Sequence, residues 1–262
     1  MTRILTALVL IPTAVWLALA APAYLFLAAL ALVGVAAHRE FDLIAAAQGI
    51  APAGSLGAVL GVAWLIVPDP YGLAALVIVA LTLMATSMRL ADLEKSLPHA
   101  GVAVLGVLYI FGAWRSAAAL RQISPHWLML SLLVSWAGDT AAMYAGKSIG
   151  KRKLAPRVSP GKTWEGSIGS VAGGILAAFI YAHYLLPDVP PFLLAVIAAS
   201  ANIAGQLGDL AESAFKRGAH VKDSGSSLPG HGGWLDRIDS SLFSVPATYG
   251  LVLLLQRATP AL

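Results

Sequence analysis

The sequence predicts an all-α polytopic transmembrane helix bundle of about nine helices. Its N-terminus is expected in the cytoplasm, with the polar active-site loops on the same face. Three observations carry this. Of 262 residues, 58% are hydrophobic and 11% charged, against about 25% charge in an ordinary soluble domain; mean hydropathy is +0.79. The apolar residues come in long unbroken runs. An outer-membrane barrel would show short alternating segments, whereas helices satisfy their own backbone in lipid. Finally, the cations fall unevenly between alternate loops. Composition excludes a soluble globular enzyme and a disordered chain, and the absence of cysteine excludes a disulfide-stapled secreted fold.

The apolar runs fall near residues 4–20, 22–37, 52–68, 71–88, 99–114, 126–146, 164–186, 191–213 and 240–256. Arg3 followed by an apolar run and Ala18-Leu19-Ala20 has the outline of a signal peptide. The next run starts almost at once, so a first helix with a tight turn into the second fits better. Pro and Gly inside the runs are tolerable in a bundle. Trp16, Trp64, Tyr71, Trp114 and Trp127 lie near helix ends, as interface aromatics do.

With nine spans, the N-terminus and the even-numbered loops share one face. That face carries fourteen of the 17 Lys and Arg residues, ten of them in the sixth and eighth loops. Arg115, Arg121 and Arg257 lie opposite. Cytoplasmic loops carry the cationic excess, so both long polar loops are assigned to the cytoplasm. A net charge of +4 is mild, and no nucleic-acid partner is expected. There is no internal repeat. Residues 1–125 read as N-terminal scaffold helices. Residues 126–262 read as a catalytic region with cytoplasmic loops 147–163 and 214–239.

Seven of the 13 acids lie in the polar parts of the second half. Asp139 and Asp209 fall at or near membrane depth, where a carboxylate costs roughly 2.5 kcal/mol or more and defaults to a functional reading. Ser131, Ser135 and Asp139 share one helix face. Asn202, Gln206, Asp209, Ser213 and Lys216 form a polar stripe, readable as a hydrogen-bonded helix seam or, at Asp209, as function. Loop 147–163 holds six cations, and Lys151, Arg152 and Lys153 fit an anionic-lipid patch. Ser159-Pro160-Gly161-Lys162-Thr163-Trp164-Glu165-Gly166 differs: a turn, two hydroxyls and a Lys lead into a helix start, which suits a phosphate. Its glycine spacing is not that of a Walker loop. Loop 214–239 alternates acids with Lys216, Arg217, Lys222 and Arg237, and contains Gly225, Gly230, Gly232 and Gly233. Glycines let backbone approach a ligand. Asp209, Asp223, Asp236 and Asp239 are hard oxygen donors suited to Mg²⁺ carried with phosphates, and the cations suit phosphate charge. His231, between glycines, reads as a phosphate donor or acid–base group. Together these features fit phosphoryl or nucleotidyl transfer to a lipid head group.

The stretch SAFKRGAHVKDSGSSLPGHGGWLDRID, Ser213 to Asp239, closely resembles the diagnostic motif of the phosphatidate cytidylyltransferases, or CDP-diacylglycerol synthases. Asp139-Thr140, the Ser159–Gly166 block and Gly208-Asp209-Leu210-x-Glu212-Ser213 are similar to the same family, so the resemblance is firm over 126–245. Two positions depart: Trp234 stands where an aliphatic residue is usual, and Gly161 where a second Lys is common.

The absence of cysteine with the high Ala and Gly content fits a prokaryotic plasma membrane. The resemblance implies an integral membrane enzyme acting in phospholipid biosynthesis. It converts CTP and phosphatidic acid to CDP-diacylglycerol and pyrophosphate. It implies Mg²⁺ on Asp209 and Asp236, a second cation being allowed, with Asp239 or Asp223 in support. Lys162, Lys216, Arg217, Lys222 and Arg237 would neutralise phosphates, and Ser159 and Thr163 would cap phosphate oxygens. Asp139 would orient a Lys or aid the metal, and His231 would position substrate. Glu165 and Ser213, inside the matching blocks, join the substrate-binding set. Membrane lipids surround the bundle, and a homodimer is allowed. The rival readings are a CTP-using lipid kinase, which would transfer the γ-phosphate, and a transporter with Asp139 and Asp209 as an ion relay.

Overall fold

The computed structural model describes residues 2–228, 230 and 232–258, with side chains described between residues 8 and 256. His231 lies outside the described residues. The elements run α1 Thr2–Leu19, α2 Ala23–Ala47, α3 Gly54–Ile66, α4 Gly72–Thr86, α5 Ser96–Val107, α6 Ala113–Ile123, α7 Pro125–Ile149, β1 Lys153–Ala155, β2 Ser159–Thr163, α8 Trp164–Leu185, α9 Pro191–Gly218, α10 Leu235–Ile238 and α11 Ser241–Ala258. Two single 3₁₀ turns lie between α4 and α5, and a π-helical turn, Leu108–Gly112, joins α5 to α6 without a break.

Among the described residues seven helical segments are long and apolar enough to cross a membrane, and Leu8–Leu19 and Gly54–Ile66 are shorter apolar helices. Large apolar side chains such as Leu32, Leu73, Leu97 and Phe192 are exposed, as lipid-facing residues are. The all-α polytopic architecture is therefore as composition and run length require. The helices outrun the apolar runs. α7 continues to Lys147 and beyond, and α9 to Lys216 and Arg217, because cations at a helix C-terminus complement its dipole. α2 continues ten residues past Ala37, through His38, Arg39, Glu40 and Asp42. Three of these four side chains are buried rather than looped into water.

The chain forms two compact units. One comprises residues 1–115 with 215–237, the other 116–214 with 238–262. Most of the second long polar segment thus packs with the N-terminal helices rather than with its neighbours in sequence.

In the first unit the π-helical turn sets Phe111 against Gly34 of α2 and Gly61 of α3, both too close for a Cβ. The Asp42 carboxylate accepts from the amides of Ala53 (3.3 Å) and Gly54 (2.9 Å), closing the start of α3. Arg115 donates to the carbonyls of Trp64 (2.7 Å) and Val67 (2.6 Å) at its end. These bonds satisfy some of the orphan groups at both α3 termini.

In the second unit α7 and α8 pack along a seam of small residues. A Cβ on Gly169 would lie 2.6 Å from that of Ala145, and one on Gly173 would collide with Ala141. Close approach through Gly and Ala is how membrane helices gain contact without a hydrophobic driving force. Ser131 and Ser135 meet Ser244 of α11 at 3.3 and 3.2 Å, so these two serines join helices.

Candidate functional site

The short β1–β2 hairpin leads directly into α8. Thr163 has an extended backbone, and its hydroxyl accepts from the amide of Gly166 at 3.1 Å, an N-cap. The Glu165 carboxylate, in the first helical turn, accepts from the amides of Lys151 (3.1 Å) and Arg152 (3.2 Å). It ties the hairpin to the helix start and complements the positive dipole end. Gly150 lies against the carbonyl of Gly146 and Thr163 Oγ1 with no room for a Cβ.

This construction leaves a cavity of about 410 Å³ within the second unit. α7 contributes Asp139, Met143 and Lys147, which lie on one helical face. The hairpin contributes Gly161 and Lys162, and α9 contributes Gln206 and Asp209. Lys162 Nζ lies 2.6 Å from Asp209 Oδ2, with the two side chains 28% and 32% exposed. Ser213 donates to Asp209 Oδ1 at 3.3 Å. Beneath them Gln206 donates to Asn202 (2.7 Å) and accepts from Ser167 (2.5 Å), and Asn202 donates to Ser170 (3.2 Å). The polar stripe of α9 is therefore a hydrogen-bonded seam as far as Gln206. At Asp209 it becomes a carboxylate in contact with the cavity.

The first unit holds a different cluster. Asp236 Oδ1 meets Lys216 Nζ at 2.5 Å. Its Oδ2 accepts from the amides of Ser224 (2.9 Å) and Gly233 (2.8 Å) and lies 3.0 Å from Ser224 Oγ. Glu40 of α2 accepts from Ser224 Oγ, Ser227 Oγ and the amides of Trp234 and Leu235. Gly232 has φ +78°, and Gly233 packs on the Glu40 carboxylate where a Cβ would collide. The glycines thus admit backbone to two protein carboxylates.

Lys222, Asp223 and Arg237 are exposed. Arg217 is exposed and donates to the carbonyl of Val221 at 3.1 Å. Asp239 accepts from the amide of Ser240 at 2.7 Å. Ser159, opposite Ala155 in the hairpin, is outside the cavity lining. Sequence reasoning passed over Glu40, because the apolar run ends before it and no motif contains it. An acid buried in a helix that is otherwise apolar was the available signal.

The donor set bears on a metal. Among the described residues no three of His, Cys, Asp and Glu converge. Mg²⁺ needs only one or two carboxylates when it arrives with substrate phosphates. Asp209, a third exposed and beside the cavity, fits that requirement. Asp236, 5% exposed and bonded at both oxygens, must exchange protein partners to do so.

A helical protein long enough to span the bilayer, with a charged cavity built over a helix start, falls in the class of polytopic integral membrane proteins. Over residues 1–255 it matches the model of the cytidylyltransferase family, and the chain belongs to that family. Similar proteins include the phosphatidate cytidylyltransferase of Bacillus subtilis, 38% identical over 178 residues, which are 67% of this chain and 66% of the relative. That of Haemophilus influenzae is 46% identical over 125 residues, 45% of this chain and 43% of the relative. That of Pseudomonas aeruginosa is 38% identical over 151 residues, 56% of each. The matches thus span less than two thirds of each of these relatives.

Proposed function

We propose that this protein is an integral membrane phosphatidate cytidylyltransferase. It converts CTP and phosphatidic acid to CDP-diacylglycerol and pyrophosphate in phospholipid biosynthesis, with its active site facing the cytoplasm. The observation that carries the reading is the cavity where Lys162, Asp139 and Asp209 gather beside the capped start of α8, in a chain of the cytidylyltransferase family. The fourteen-to-three cation split supports the orientation.

A phosphatidate oxygen attacks the α-phosphorus of CTP in line. The new P–O bond forms as the bond from the α-phosphorus to the bridging oxygen breaks, and pyrophosphate leaves with that electron pair. Such transfers depend on positioning and charge stabilisation. Lys162 leaves Asp209 to pair with the triphosphate, and the α8 amides add positive potential. Lys147, exposed at the cavity, adds charge there. Asp209 would hold Mg²⁺, which would neutralise phosphate charge, and Asp236, after exchanging its protein partners, is compatible with a second cation. Lys216, Arg217, Lys222 and Arg237 serve the anionic substrates, Asp139 and Ser213 orient the charged groups around Asp209, and Asp223 and Asp239 support them. Thr163 and Glu165 act by fixing the hairpin. The ionised phosphatidate needs no strong base, so His231 positions rather than abstracts.

The test is a product assay with purified protein, dioleoyl phosphatidate, Mg²⁺ and CTP labelled at either the α- or γ-phosphate. Label from the α-position in the lipid, with release of pyrophosphate, is expected. Label from the γ-position in a lipid would make the protein a lipid kinase. Movement of neither label would overturn the reading.

A further inference from the structure

We propose that Glu40, far from every motif in the sequence, is a positioning residue for the reaction. Its buried carboxylate fixes Ser224, Ser227, Trp234 and Leu235 and, through Ser224, the Lys216–Asp236 pair. The kinetic part of this inference rests on the cytidylyltransferase reading; the structural part does not.

Glu40 is 3% exposed. Its Oε1 accepts from Ser227 Oγ (2.9 Å) and the Trp234 amide (3.1 Å). Its Oε2 accepts from Ser224 Oγ (2.9 Å) and the Leu235 amide (2.8 Å). All four donors lie 184 to 195 residues away in sequence. A carboxylate group brings two acceptor oxygens to these four donors. Gln would turn an NH₂ group toward an N–H or hydroxyl donor, and Asp would fall a methylene short.

The surrounding sequence is cut to fit that group. A Cβ on Gly225 would lie 2.7 Å from Glu40 Oε1, and one on Gly233 would collide with the carboxylate. Ser224 is the relay. Its hydroxyl lies 2.9 Å from Glu40 and 3.0 Å from Asp236, and its amide donates to Asp236 Oδ2 at 2.9 Å. Asp236 in turn holds Lys216. Displacing this chain displaces a cation and a carboxylate together, and ångström-scale misplacement of such groups is costly in a positioning reaction.

The test compares full-length Glu40→Gln with Asp42→Asn in detergent, reading kcat, the KM for CTP and hydrogen exchange of amides 222–237. Asp42 is a buried acid on the same helix that caps α3 instead. Glu40→Gln is expected to lower kcat by about 10–100-fold, the usual cost of losing an orienting partner, with little change in KM, and to deprotect 222–237. Adding Ser224→Ala is expected to cost little more, since residues of one network are not additive. Asp42→Asn is expected to keep both kcat and protection. If Glu40→Gln does not fold, Ser227→Ala serves, with a loss of about tenfold or less expected from one hydrogen bond to a charged group and partial deprotection. Unchanged kcat and protection in the Glu40 or Ser227 variant, or an equal loss in Asp42→Asn, would overturn the proposal. If the wild type forms no CDP-lipid, the kinetic part fails with the reaction reading and exchange decides the structural part alone: intact protection in Glu40→Gln refutes it, lost protection upholds it.

Discussion

Asp209 and Asp236 each meet a lysine within 2.6 Å, yet their surroundings differ in kind. Asp209 has one ion pair, one weak hydroxyl bond and a third of its side chain open beside a cavity. Asp236 is enclosed, and backbone amides and a serine take up the oxygen that Lys216 leaves. An ion pair at a cavity edge can be exchanged for a ligand at small cost, because exposed pairs contribute about 0–1 kcal/mol. A buried pair is part of the architecture, and removing one partner strands a charge. The same residue types therefore leave a carboxylate open to a cavity in one unit and enclose one in hydrogen bonds in the other.

The largest expected effect lies on the open side. Asp209→Asn should lower CTP-dependent lipid product by about 10²–10³-fold, the scale of losing one preorganised electrostatic group, while thermal unfolding in detergent barely moves. Near-normal turnover would dissolve the distinction between the two acids. On the enclosed side, Asp236→Asn should reduce stability by about 3 kcal/mol, as removal of one partner of a buried pair does. An unchanged unfolding midpoint would show that the cluster is no fastening.

A smaller effect tests what holds the cavity open. Gly173→Leu must force the α7–α8 seam apart at Ala141, at about 1–3 kcal/mol for overpacking. Activity should fall with stability, in contrast to Asp209→Asn. The smallest effect is a gain. A Cβ on Gly161 meets nothing within 4 Å, so Gly161→Lys should fold normally. It should lower the KM for CTP about 2–5-fold, the worth of one exposed charge pair; a raised KM would place the triphosphate away from the hairpin.

Much of this was legible beforehand. Among the described residues, the seven spans and two shorter apolar helices, the placement of Asp209 in an otherwise apolar helix and the Ser159–Gly166 entrance to a helix all follow from run length, residue type and spacing. Other features were not. Thr163 reads as a phosphate cap and Glu165 as one of the substrate-binding set; no local pattern shows that Thr163 also caps the helix start and that Glu165 ties down the hairpin. The glycines of 225–233 read as room for a ligand, whereas Gly225 and Gly233 make room for Glu40. The small-residue seam of α7 and α8 is hidden in a chain already rich in Ala and Gly, where such a stripe carries no contrast.

By itself the sequence determined that this chain is a helical membrane protein, roughly how many helices it has and which of their ends carry the charge. Those properties are sums over local residues, and the bilayer enforces them without reference to distant parts of the chain. Only the tertiary structure decided which carboxylates stay open and which are consumed. That depends on the donors brought to each oxygen, and for Glu40 they come from more than 180 residues away, a pairing no local pattern encodes.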